Sequence, residues 1–68
     1  MNSAHERILR YFKYTHLPEP LQFASQPICD VAEQMAKICE NSDDPAEVTV
    51  GLRRLLEAKD CFVRAMVK

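Results

Sequence analysis

From Val48 to Met66 the chain places apolar residues alternately four and three apart: Val48, Leu52, Leu55, then Phe62 and Met66. Lys59 stands inside that series, where the pattern asks for a leucine. Such spacing marks one face of an α-helix, each residue advancing roughly 100°. Lys59 therefore falls near the middle of the stripe, among Leu55, Leu56, Phe62 and Val63. An unpaired ammonium is too costly to bury. Lys59 must snorkel to the rim, bond a freed backbone carbonyl, or face a bound anion.

The second apolar series is Leu21, Ala24, Ile28, Val31, Met35 and Ile38, which runs through Pro27. Its helix starts either near Ser25-Gln26-Pro27 or near Pro20, with a bend at Pro27. The unbroken register favours the bent helix, although an interior proline costs about 3 kcal/mol. In that version Pro27 frees the carbonyl of Phe23. Counting outward from the Asn41-Ser42-Asp43-Asp44 turn sets Lys59 opposite Gln26 and Pro27, so that carbonyl is one partner for the ammonium. Alternatively, Lys59, Ser25 and the corner from Tyr11 to His16 surround one polar pocket.

Helix ends are written in the sequence too. Ser3 and Glu6 have the spacing of a capping box, and the first helix must close before Leu17-Pro18. Asp44, Pro45 and Glu47 suit N-cap, first and third helical positions. Helices are expected at about 3–14, 20–40 and 45–67. With one glycine in the chain and few β-branched runs, sheets are improbable. The expected fold is all-α: a single domain over residues 1–68, with a short N-terminal helix followed by a long antiparallel helical hairpin.

A chain of 68 residues is below the size, about 70–80 residues, at which a lone core suffices. Cys29, Cys39 and Cys61 are odd in number, isolated and distant from His5 and His16. That pattern favours neither a disulfide framework nor a zinc site and fits a reduced, cytosolic protein. Self-association is left as the staple. Leu9, Phe23, Leu56, Val63 and Val67 widen the apolar arc beyond one seam, as helices with several neighbours require. A homo-oligomer is expected. The net charge of −1 argues against a nucleic-acid polymer as partner. No apolar run approaches the roughly 20 residues of a membrane span, and no signal-peptide core is evident.

Catalytic groups are sparse. Asp43, Asp44 and Glu47 crowd a helix start, where the macrodipole stabilises carboxylates. His5 and Glu6 belong to a first turn expected to face water. No nucleophile is paired with a base and no glycine-rich phosphate loop exists, so neither enzyme activity nor a cofactor or metal is expected. Binding is better supported. Tyr11, Phe12, Tyr14 and His16 gather four rings where the first helix ends, either capping the core or offering a surface on which a nucleobase stacks. Arg53, Asp60 and Arg64 share a narrow arc of the third helix. They either pair locally, Arg53 with Glu57 and Asp60 with Arg64, or turn the arginine forks onto phosphate oxygens. A near-neutral chain with rings and scattered cations suits a small anionic, base-bearing ligand.

Two stretches carry a resemblance. One is Tyr11-Phe12-Lys13-Tyr14-Thr15-His16-Leu17-Pro18 with Leu21-Gln22 and Ser25. The other is Leu52-Arg53-Arg54-Leu55-Leu56-Glu57-Ala58-Lys59-Asp60 with Val63-Arg64-Ala65. Together they resemble the small helical-hairpin proteins of bacteriophages grouped with the anti-CBASS cyclic-nucleotide sponges. The resemblance implies a hexameric, non-enzymatic protein of the host bacterial cytoplasm. It would sequester cyclic di- and trinucleotides without cleaving them. It further implies Tyr11 as the stacking residue with Tyr14 beside it, and Arg64 facing a cyclic trinucleotide where subunits meet. A lysine expected early in the second helix is absent, Ser25 or Gln26 standing there. We read Lys59 as supplying that charge from the partner helix. Two other readings stay open: an oligomeric adaptor hairpin that binds another protein, and a hydrolase of the same ligands.

Overall fold

The computed structural model describes residues 2–67, and among them all regular structure is helical. Helix α1 spans Ser3–Arg10, α2 Glu19–Ile38 and α3 Pro45–Ala65. The two long helices pack along each other, and α1 lies against both. The chain forms a rod of 42 × 17 × 16 Å, a cross-section that leaves little interior volume.

Helix α1 begins one residue earlier than a Ser3 cap requires. Asn2 caps it instead, its side-chain oxygen accepting from the Ala4 amide at 2.7 Å and the His5 amide at 3.4 Å. Asparagine caps at least as well as serine, so Ser3 becomes the first helical residue. The helix also closes at Arg10 rather than near residue 14. The amides of Tyr11 and Phe12 turn back to the carbonyls of Ile8 and Leu9, at 3.0 and 3.1 Å. These tighter three-residue bonds end the helix and drop Phe12 into the core, where it is fully buried. His5, expected in water, is 3% exposed.

Helix α2 runs unbroken through Pro27 from Glu19, as the continuous apolar register suggests. Its interior row is a correction. The buried residues are Ser25, Cys29, Ala32 and Ala36, one position round from the expected Leu21–Ile38 series. Ile38 is 72% exposed, and Val31 and Met35 are also at the surface. Ile28, partly buried, packs against the core beside this row. α2 ends at Ile38, two residues short of the expected stop. Helix α3 starts as read from the sequence: Asp44 accepts from the Glu47 amide at 3.2 Å and Pro45 opens the first turn. It closes at Ala65, short of the expected 67.

The buried apolar core is thin: Ile8, Phe12, Cys29, Ala32, Ala36 and Leu52. Leu9, Tyr14, Ile28, Val48, Leu55 and Leu56 pack around it, each only partly covered. On α3, Leu52 is enclosed, whereas the later members of the same stripe, Phe62 and Met66, lie open.

Candidate functional site

Helices α1 and α3 enclose a groove of about 380 Å³. Ala4, Arg7, Ile8 and Tyr11 line it from α1 and its C-cap, and Thr49, Arg53 and Leu56 from α3. The spacing explains the set. Arg7 and Tyr11 are four apart, as are Thr49 and Arg53, so each pair shares one helix face. Ile8 and Leu56 are the apolar members. The Tyr11 side is open, with the residue 68% exposed.

A clasp fixes the two helices beside this groove. His5 Nε2 lies 3.0 Å from Thr49 Oγ1 and 3.2 Å from the Pro45 carbonyl. The Thr49 hydroxyl donates to the same carbonyl at 3.0 Å. In the tautomer with its hydrogen on Nε2, the ring donates toward both oxygens. The imidazole thus ties the first turn of α1 to the first turn of α3, and Thr49 is itself a groove wall.

The charges matter next. Glu57 pairs with Arg54, at 3.3 Å, and not with Arg53. Asp60 pairs with Lys59, at 2.8 Å, and not with Arg64. Both expected local pairs are therefore replaced. Among the described residues, neither Arg7 nor Arg53 has a carboxylate within ion-pair distance. The groove holds two uncommitted guanidinium groups beside an open aromatic ring, on a chain of net charge −1. Asp30 and Glu33 line a separate groove against α2, with Leu9, Gln34 and Lys37.

Of the residues singled out by sequence, the fold brings together Tyr11 and Arg53. Arg7 joins them and was missed, although its place four residues before Tyr11 was legible. Tyr14 is half-buried and packs on the core. His16 is exposed at the corner, which Gln22 braces by donating to the Leu17 carbonyl at 2.8 Å. Gln26 is exposed. Arg64 is exposed too, its guanidinium 3.3 Å from Cys61 Sγ. It sits about 16 Å along α3 from Arg53 at 1.5 Å per residue. Ser25 is fully buried, and its hydroxyl has no hydrogen-bond partner among the described residues. Lys59, with 12% of its side chain exposed, bonds neighbouring Asp60 and not the Phe23 carbonyl. Neither Ser25 nor Lys59 lines the tyrosine groove.

Among the described residues, Cys29 is the one group whose titration is displaced. Burial raises its pKa first, and the Glu33 carboxylate, 3.8 Å from the sulfur, adds to the rise. Lys59 pulls in the opposite direction. The thiol is held neutral, which removes it as a nucleophile. Among the described residues no cluster of three or more His, Cys, Asp or Glu side chains is arranged to hold a metal. No helix there is long and apolar enough to cross a membrane.

No protein-family model, curated protein or solved structure matches the chain.

Proposed function

We propose that this chain is a non-enzymatic binder of cyclic di- and trinucleotides, acting as a sponge that sequesters them without breaking a bond. The observation that carries this reading is the pairing, in one groove, of the open Tyr11 ring with Arg7 and Arg53, two cations without carboxylate partners among the described residues. A nucleobase stacks on the ring, and the guanidinium forks bond phosphate oxygens in the planar, two-pronged geometry that suits them. A groove of about 380 Å³ lies at the small end of ligand sites. It suits one nucleotide unit, so the rest of a cyclic ligand rests on a second surface.

A site shared between copies of the chain supplies that second surface. In this reading α2 and α3 form an antiparallel hairpin, and the hairpins assemble into a homo-oligomer, a hexamer by the resemblance. Arg64 and Tyr14 then serve at junctions between subunits. Lys59, already bonded to Asp60, stabilises the hairpin more than it binds phosphate. The setting is the host bacterial cytoplasm, where a phage protein of this kind would lower the messengers of host antiphage signalling.

Substitutions of Tyr11 test the reading. Loss of base stacking costs roughly 1–3 kcal/mol, about a 5- to 150-fold rise in Kd. Tyr11→Ala is expected to show that rise by calorimetry, and Tyr11→Phe to retain affinity. Equal binding by both variants would remove Tyr11 from the site, and with it this assignment.

A further inference from the structure

On the face of the molecule away from the tyrosine groove, α2 and α3 border an apolar trough of about 540 Å³. Val31 and Met35 line it from α2, and Val48, Gly51, Leu52 and Leu55 from α3. Farther along the same side of α3 stands Phe62, 55% exposed. An open phenylalanine and an open trough on one helix need a cover.

The spacing on α3 says what the cover is. Val48, Leu55 and Phe62 recur every seven residues, and Gly51, Ala58 and Ala65 recur every seven between them. Large and small residues thus occupy the two alternating seam positions of a heptad. Lay a second α3 against the first in the opposite direction, and the series meets itself in register. Val48 then meets Ala65 of the second copy, Gly51 meets Phe62, and Leu55 meets Ala58. Every layer sets a large side chain against a small one. A Cβ built on Gly51 would meet no atom within 4 Å, so that position is open space within the single chain. The seat for Phe62 is there.

Charge points the same way. Antiparallel packing also sets the opposed ends of the two helix dipoles beside each other. The same row of the same helix on both sides is the self-complementary contact that a two-fold axis demands. A core that has, among the described residues, six buried apolar side chains, two of them alanine, is thin enough to need it.

We propose that this trough is a self-docking surface, in which α3 packs antiparallel on α3 of a second copy with Phe62 seated over Gly51. The proposal deepens the assembly part of the proposed function by naming the contact, and it is independent of the ligand. Residues 51 and 62 are eleven apart, about 16 Å along one helix, so they do not touch within a chain. A size swap between them therefore reports only on contact between copies.

The test measures mass by light scattering, without ligand, for the full chain and three variants, with circular dichroism to check folding. Gly51→Leu fills the seat and Phe62→Ala empties it. Each is expected to weaken self-association at least tenfold while leaving helicity intact. The double variant restores a large-small layer and is expected to recover association. If Gly51→Leu unfolds the chain, cysteines decide the matter. In a Cys39→Ser, Cys61→Ser background, Val48→Cys chains mixed with Ala65→Cys chains should oxidise to a mixed dimer, and Val48→Cys alone should not. A chain that is monomeric at all concentrations overturns the proposal. So does unchanged mass in Gly51→Leu, a double variant no better than the singles, or failure of the mixed pair to form. Nucleotide binding by a monomeric chain would refute this surface and leave the ligand reading standing.

Discussion

Ser25→Ala tests most sharply whether the interior of this rod is read correctly. The serine is fully buried on α2, and its hydroxyl has no partner among the described residues. A buried hydroxyl without a hydrogen bond costs about 1–3 kcal/mol relative to water. Alanine removes that penalty and gains a few tenths of a kcal/mol in helix propensity. The lost contacts of one oxygen offset part of the gain. The expected net is about 1–2 kcal/mol of added stability. In a domain this small, each kcal/mol moves the melting temperature by about 4–8 °C, so the rise is roughly 5–15 °C. Thermal and urea denaturation followed by circular dichroism measures it, repeated over a range of protein concentrations to separate folding from assembly. A variant destabilised by about 1 kcal/mol or more would mean that the hydroxyl has a partner, and the account of α2 packing would fail.

Two further outcomes follow from the same interior. Ala36→Leu pushes a large side chain into a fully enclosed position and should cost about 1–3 kcal/mol. Ile38→Ala, at a 72% exposed site, should stay within about 0.5 kcal/mol; chemical denaturation separates the two, and the reverse order would restore the Leu21–Ile38 series as the seam. Cys29 makes stability depend on alkaline pH. Its folded pKa is raised above the usual thiol value of 9.0, so its contribution is complete below that pH. As pH rises, the unfolded thiol ionises first and the contribution is lost up through the folded pKa. Stability measured from about pH 8 to 11 should fall more steeply in the native chain than in Cys29→Ala, and parallel slopes would contradict the burial of that thiol.

What the sequence made legible was helix-local. Asp44, Pro45 and Glu47 mark the start of α3 because a cap is decided within four residues. The passage of α2 through Pro27 was readable from an unbroken register. The interior face of α2 was not. Hydrophobicity ranks Val31 and Met35 above Ser25, Ala32 and Ala36, but a rod with little interior encloses the small side chains and leaves those two larger ones exposed. Local ion pairs were ambiguous for a related reason. Glu57 is within reach of Arg53 and Arg54 alike, and Asp60 of Lys59 and Arg64, so rotamers decide what spacing cannot. That choice releases Arg53 into the groove. Arg7 was visible by its spacing from Tyr11, but nothing local tells which face of a two-turn helix meets α3. His5 supplied that information only through Thr49, distant in the chain.

The most direct test of the central claim is calorimetry of the purified chain against a panel of cyclic di- and trinucleotides, followed by chromatography of the recovered ligand. Saturable binding is expected with the ligand returned intact, and affinity lost when Arg7 and Arg53 are both replaced by glutamate. Absence of heat across the panel, binding indifferent to that double replacement, or ligand recovered as cleaved product would each contradict it.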